Sequence, residues 1–350
     1  MKKRILLVLV VFITIVFLDA AILVCSKPPS ATIRLRESTY FLYYASPGPD
    51  MYYAVRGDTG EFVAESEDAV DLIETVLNLV PPNSRIVFGG SGGWYLSRTL
   101  TIKGKLNGNP EAEDRGFQEV IIDASQIEFV PMEKDAPIDR DFIVIDSLLG
   151  SKISIGLVAA NVAKGYSAIK IAPTLPVQYS GNVGTIMSKV EVRMISSLNA
   201  NSTGIGLELD GTKAPNGITF MDIEVGSIEA YAINVLFADP APNFAYGNKI
   251  EVIRNYPAAG GIGIQDGGPD VTSLYGNNYI SNLICISACA GVSIYGSDSR
   301  FDLGIVEARK GNCVILQPGA AKNLIIGTSG MSKWGWTDNS GYDNNKVIAP

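Results

Sequence analysis

Charged residues recur here at a spacing that suits carbohydrate chemistry. In Lys189-Val190-Glu191-Val192-Arg193-Met194 charged and apolar residues alternate. Side chains on a strand point alternately to its two faces, so placing Val190, Val192 and Met194 inward turns Lys189, Glu191 and Arg193 outward. The same treatment exposes Asp222 and Glu224 about one repeat later, and Lys249 and Glu251 after that. Neighbouring strands lie about 4.8 Å apart and alternate residues of one strand about 6.6 Å apart. Carboxylates so placed fall within the roughly 5 to 9.5 Å that glycoside hydrolysis needs between an acid and a nucleophile or base. Asp222 and Glu224, with Glu191, Glu251 and Arg193 alongside, are therefore a candidate catalytic set. The competing reading is a solvated sheet face, where interleaved Lys and carboxylates form weak ion pairs.

A second set of carboxylates stands at strand exits: Asp210, Asp239, Asp266 and Asp298. With the coils in register these line one corner, and stacked carboxylates beside loop carbonyls suit Ca2+, which takes about six to eight oxygen ligands. Aspartate is also an ordinary turn residue with local hydrogen bonds of its own. Other chemistry is restricted. The chain has no histidine, so any mechanism or metal site that needs imidazole is excluded. Gly89 to Gly93 lacks the Lys-Ser/Thr of a phosphate loop and opens no helix, which makes it a turn. Arg56-Gly57-Asp58 is likewise a turn. Cys285, Cys289 and Cys313 allow either a Cys289–Cys313 bridge between coils or buried thiols. Asn201-Ser202-Thr203 is a glycosylation sequon.

These residues are positioned by a repeat. A small-apolar-x-apolar motif begins at Ala168, Gly204, Ala232, Gly261 and Gly291, with a period of about 30 residues. A second column, Ile153, Ile186, Ile218, Ile250, Ile280, Phe301 and Leu324, shares that period and often has Asn or Lys in front. Alternation over short stretches separated by Gly, Asn and Pro makes the unit one of strands, stacked as a solenoid. Before the repeat, Ser66 as N-cap, Glu67 and Asp68 in the first turn, and Val70, Ile73, Leu77 and Val80 on one face predict a helix that Pro81-Pro82 stops.

From Gly57-Asp58 to Asp123 the motifs resemble a known family. The helix, Pro81-Pro82-Asn83-Ser84-Arg85-Ile86-Val87-Phe88, Gly92-Gly93-Trp94-Tyr95, Thr99-Leu100-Thr101-Ile102 and Ile121-Ile122-Asp123 resemble the opening of pectate-lyase-superfamily proteins. The resemblance implies an all-β, right-handed parallel β-helix with a short N-terminal capping helix, and chemistry on the outer face of a sheet. Its polygalacturonase-like signatures are absent. Its lyase-like members abstract a proton with Arg or Lys beside acidic Ca2+ ligands, for which Arg193, Arg254, Arg300 and Arg309 are the generic candidates.

The remaining segments set the expected organisation. Lys2-Lys3-Arg4 followed by an apolar run to Val24 reads as a signal peptide or an N-terminal membrane anchor over residues 1–26. Residues 27–52 read as a spacer with a strand, 53–327 as the β-helix, and 328–350 as a tail that breaks the repeat, its Trp334 and Trp336 covering the open end or stacking on sugars. At 350 residues and 47% apolar content the chain can bury a substantial core. Its net charge of -8 argues against nucleic acid as a partner. The expectation is an extracellular or cell-surface protein that binds or cleaves polysaccharide or a surface glycan, touching the membrane through its N-terminus if uncleaved. The alternative is a non-catalytic structural or adhesive rod.

Overall fold

Alternation makes the strands, and stacking them coil upon coil makes the fold. The computed structural model describes residues 39–45, 51–81, 84–90, 93–103, 120–133, 136–148, 150–173, 185–186, 188–199, 202–211, 218–219, 221–238, 245–268, 278–287, 290–308, 311–327 and 335–348. All belong to the compact unit Glu37–Pro350.

The chain opens with β1 (Thr39–Ala45), β2 (Met51–Arg56), β3 (Phe62–Ser66), α1 (Ala69–Leu79), β4 (Ser84–Gly89), β5 (Gly93–Leu96), β6 (Leu100–Lys103), β7 (Val120–Pro131) and β8 (Ile143–Asp146). The regular coils follow as β9 (Lys152–Ala159), β10 (Ser167–Ile171), β11 (Thr185–Ile186), β12 (Lys189–Ser196), β13 (Ile205–Asp210), β14 (Ile218–Thr219), β15 (Asp222–Glu229), β16 (Ile233–Ala238), β17 (Ala245–Tyr246), β18 (Lys249–Tyr256) and β19 (Ile262–Asp266). The last are β20 (Tyr279–Ser287), β21 (Ala290–Ile294), β22 (Arg300–Ala308), β23 (Val314–Leu316), β24 (Leu324–Ile326), β25 (Trp336–Asp338) and β26 (Lys346–Ile348).

They form three stacks. The first sheet runs β26-β24-β22-β20-β18-β15-β12-β9-β7-β4-β1-β2-β3, the second β25-β23-β21-β19-β16-β13-β10-β8-β6, and the third β11-β14-β17. Among the described residues every pairing from β4 onward is parallel, and only β1-β2-β3 pair antiparallel. The fold is all-β, a right-handed parallel β-helix with a short N-terminal helix.

The core is a set of columns inside the coil. Ile86, Ile122, Ile153, Val190, Ile223, Ile250, Ile280, Phe301 and Ile325 stack in register and are buried. Opposite them stand Leu100, Ile143, Ile169, Leu207, Val235, Ile264, Val292 and Val314. Each such side chain contributes about 1.5 to 3 kcal/mol on leaving water. The expected second column is corrected here: Val190 and Ile223 take the places given to Ile186 and Ile218, which sit in the third sheet, and Ile325 takes that of Leu324. The first motif slips by two residues between Ala168 and Gly204, because Ile169 pairs with Leu207. A slip of two keeps every side chain on its face, so inside and outside keep their assignment.

Turns between the coils hold themselves by side chains. Asn248 Nδ2 donates to Ile218 O at 2.9 Å and to Asn278 Oδ1 at 3.0 Å, and Asn278 Oδ1 also accepts from Asn248 N at 3.1 Å. Asn323 and Asn345 repeat the arrangement three coils on. This ladder is the physical meaning of the Asn in front of the apolar column.

Three expectations at the ends change. The N-cap of α1 is Asp68, whose Oδ1 accepts from Val70 N at 2.7 Å, while Ser66 Oγ accepts from Asp68 N. The strand expected in the spacer, β1, pairs in parallel with β4 and so belongs to the first sheet. The tail does not break the repeat: β25 pairs with β23 and β26 with β24, adding one more rung. Arg56 to Asp58 does form a turn, closed by Gly60 N donating to Arg56 O at 2.8 Å. Asn201, Asp239, Cys289, Arg309, Trp334 and the N-terminal segment through Ser38 lie outside the described residues. Among the described residues, no helix is long and apolar enough to cross a membrane.

Candidate functional site

Parallel pairing puts identical positions of successive coils side by side, and this builds a row of glutamates. Ser154, Glu191, Glu224 and Glu251 are direct partners across β9, β12, β15 and β18. Lys152, Lys189, Asp222 and Lys249 form the parallel row two residues earlier. A cleft of about 370 Å³ lies along the glutamates, lined by Ser125, Ser154, Glu191, Arg193, Glu224 and Glu251 among others. Four of the five expected catalytic residues thus meet in one cleft, and Asp222 stands in the flanking lysine row.

The cleft exists because the strands bend. Val192 pairs with Val225 and Met194 with Ser227, but Arg193 and Gly226 between them are unpaired. Val192 and Ile195 are both buried, so the two residues between them face outward, and the expected inward Met194 is only half-buried. Gly226 is required at this corner, since a Cβ there would lie 2.5 Å from Arg193 O. The outer surface on the glutamate side of that corner is the cleft.

Its electrostatics are those of a charge-balanced face. Lys189 Nζ lies 2.9 Å from Glu191, 3.0 Å from Glu224 and 3.6 Å from Asp222. Lys249 Nζ lies 3.5 Å from Glu251 and 3.6 Å from Asp222, and Lys152 Nζ 2.9 Å from Glu191. The hydrogen bond from Lys189, with further help from Lys152 and from Ser154 Oγ, pushes the Glu191 carboxyl down to about 2 against the opposing effect of burial. Glu191 therefore holds a negative charge throughout the physiological range and has no proton to give as a general acid. Arg193 makes no ion pair among the described residues and completes the charge balance of the cluster.

The aspartate corner does not assemble. Asp210 pairs with Ala238, whereas Asp266 pairs with Phe237 and Ile294, so the two stand one residue out of register. One position along a strand reverses the face, which sends Asp210 outside and Asp266 into the lumen. Asp298 lies beyond β21 with φ 56, its carboxylate 3.9 Å from Lys322 Nζ. Among the described residues no group of three or more acidic or cysteine side chains could hold a metal ion. The described three, Asp210, Asp266 and Asp298, do not come together as a Ca2+ site.

Asp210 instead belongs to a cluster that sequence reasoning missed. On the second sheet Lys170 is the direct partner of Glu208, and its Nζ lies 2.8 Å from Asp210, 3.3 Å from Glu208 and 3.9 Å from Asp141. Glu208 and Asp210 are buried. Burial raises the Glu208 carboxyl above its ordinary range, opposed by the hydrogen bond from Ser167 Oγ and by Lys170. Burial disfavours the Lys170 charge too, but its three carboxylate neighbours outweigh this and raise it. The alternation Leu207-Glu208-Leu209-Asp210 carried the same outward signal as the glutamate row; only the pairing with Lys170 was invisible.

Buried polar side chains also interrupt the apolar columns, Asn255 between Ile228 and Cys285 among them. Asp266 is fully buried, and neither of its carboxyl oxygens makes a hydrogen bond of normal geometry. Burial pushes it up to about 7, with only the nearby Gly296 N–H opposing. A Cβ at Gly296 would come within 2.6 Å of Asp266 Oδ2, so the carboxyl would have to shift to admit one. Asn282 lies between Val252 and Leu303, likewise buried. Cys285 is a buried thiol, pushed up to about 12 by burial, and Cys313 Sγ lies 3.1 Å from Val306 O.

No family model, curated protein or solved structure matches this chain.

Proposed function

We propose that this solenoid is an exported polysaccharide-binding protein of pectate-lyase-superfamily ancestry that holds a glycan in the cleft along Glu191, Glu224 and Glu251. The observation that carries the reading is the row itself: one acceptor side chain per coil at about 4.8 Å intervals, next to a row of amino groups. Such a row offers repeated hydrogen bonds to the hydroxyls of an extended sugar chain. At Glu191 binding is favoured over proton donation, because the lysines hold its carboxyl low and a general acid must keep its proton.

Cleavage has one observation in its favour elsewhere. Glu208 is raised while Asp210 lies 2.8 Å from the Lys170 ammonium, two contrasting environments of the kind an acid and base pair uses. Both readings meet in one experiment: purified protein is mixed with neutral and acidic polysaccharides, with and without Ca2+, following binding, reducing ends and unsaturated products. Binding without product, weakened about tenfold by Glu191→Gln with Glu224→Gln, is the expected result. Binding that the double variant leaves unchanged would refute the cleft, and product release abolished by Glu208→Gln would transfer the function to the second sheet.

A further inference from the structure

On the second sheet an amine and a carboxylate are held against each other where water scarcely reaches. Lys170 Nζ lies 2.8 Å from Asp210 Oδ2 and 3.3 Å from Glu208 Oε2, and the two acids are each only 6% exposed. Their neighbours along the sheet are apolar. Val144 is the direct partner of Lys170 on one side, and on the other Leu236 and Ala238 are the partners of Glu208 and Asp210. Asp141 stands farther from the nitrogen, at 3.9 Å, and its Oδ1 accepts from Ser167 N at 2.9 Å. Ser167 Oγ in turn donates to Glu208 Oε2.

This arrangement meets the requirements of an acylation within the chain. Fixing an amine beside a carboxyl group removes the entropy cost of their encounter, the larger part of the barrier that geometry alone can lower. Poor hydration narrows the advantage of an ion pair over the neutral amine and acid. Glu208 supplies the third component: it faces the same nitrogen, and burial raises its carboxyl so that it holds a proton better than an ordinary glutamate. The carboxylates around Lys170 raise its ammonium too, so the free amine forms only by passing a proton to the adjacent acid. A bond made once per molecule tolerates that slow step.

We infer that Lys170 Nζ and Asp210 Cγ become joined by an isopeptide bond, with Glu208 carrying the proton. The Lys170 ammonium gives one proton to the Asp210 carboxylate. The amine lone pair then attacks Cγ; as the C–N bond forms and the C–OH bond breaks, Glu208 protonates the departing hydroxyl and takes the proton that the nitrogen sheds. Ammonium and carboxylate become one amide and one water, and Glu208 is restored. The product is a covalent rung between β10 and β13, a cross-link that restricts the unfolded chain as a disulfide does. It is independent of the glycan cleft, and it uses up the Asp210 carboxyl, so no acid and base pair for cleavage remains on this sheet.

The test is a peptide map. Full-length protein is unfolded, digested with trypsin and analysed by mass spectrometry beside Lys170→Arg and Glu208→Gln. In the wild type, residues 165–189 and 194–213 run as one linked species, uncut after Lys170 and lighter than the sum of the two peptides by one water. Fragmentation places the bond on Lys170 and Asp210. Lys170→Arg keeps the positive charge and gives separate peptides. Glu208→Gln gives them too when freshly purified, since losing a general acid slows such a step about a hundredfold or more. Separate peptides cut after Lys170 in the wild type overturn the bond, whether or not either variant folds. A link on Glu208 or Asp141 overturns the choice of Asp210, and an undiminished link in Glu208→Gln overturns the role of Glu208.

Discussion

The two outer faces of this solenoid carry similar residues and treat them in opposite ways. On the first sheet, Glu191, Glu224 and Glu251 are half-open to water and share three lysines. On the second, Glu208, Asp210 and Asp141 share one lysine, and two of the three are buried. The first arrangement drives Glu191 down to about 2; the second lifts Glu208. Water and the number of cations decide the direction, since desolvation penalises a charge and an adjacent cation rewards it. Asp266, with neither water nor cation, is the limit of the series at about 7.

The comparison can be broken most readily at Lys170. Lys170→Met leaves buried carboxylates uncompensated and should destabilise the protein by about 3 kcal/mol in urea unfolding. A loss below about 1 kcal/mol would mean the cluster behaves like an exposed one.

Asp266 gives the next largest effect, and its sign runs against habit. Its folded pKa lies above the ordinary carboxylate value of 3.8, so the folded state favours the proton. The stabilisation is complete below about pH 4 and disappears as pH rises through about 7. Tm should therefore fall between about pH 5 and pH 8, and Asp266→Asn should remove most of that slope. Equal slopes in the two proteins would place the titrating group elsewhere.

Glu191 predicts the smallest change, in the opposite direction. Its pKa is depressed, so its contribution is present above about pH 4.5 and is lost as pH falls toward about 2. Glu191→Gln should cost less than about 1 kcal/mol at pH 7, because the carboxylate is open to solvent, and should flatten the acid limb of the stability curve. A larger loss at neutral pH would show that the row holds the fold together rather than merely covering it.

Much of this architecture was legible beforehand because the β-strand period is short and forgiving. Val190, Glu191 and Val192 announce their faces wherever the coil boundaries are drawn, and a slip of two residues changes no face. The same tolerance hid the pairings. Ile186 looked like a member of the main column because it is apolar and a period away from Ile153, yet Val190 occupies that place. The aspartates failed for the complementary reason: Asp210 and Asp266 differ by one register position, the smallest error that reverses a face. Lys170, flanked by Ile169 and Ile171, gave no sign of its partners until Glu208 was placed beside it.

By itself the sequence determined the class of fold, the helix before the coils and the outward glutamates, because alternation and repeat length are properties of the chain read locally. Only the tertiary structure decided which coil position lies beside which. That choice closes the cleft at the Arg193 corner, separates the described aspartates and surrounds Lys170 with acids. It could not be read in advance because register between coils is set by the lengths and paths of the turns, which the alternating pattern leaves free.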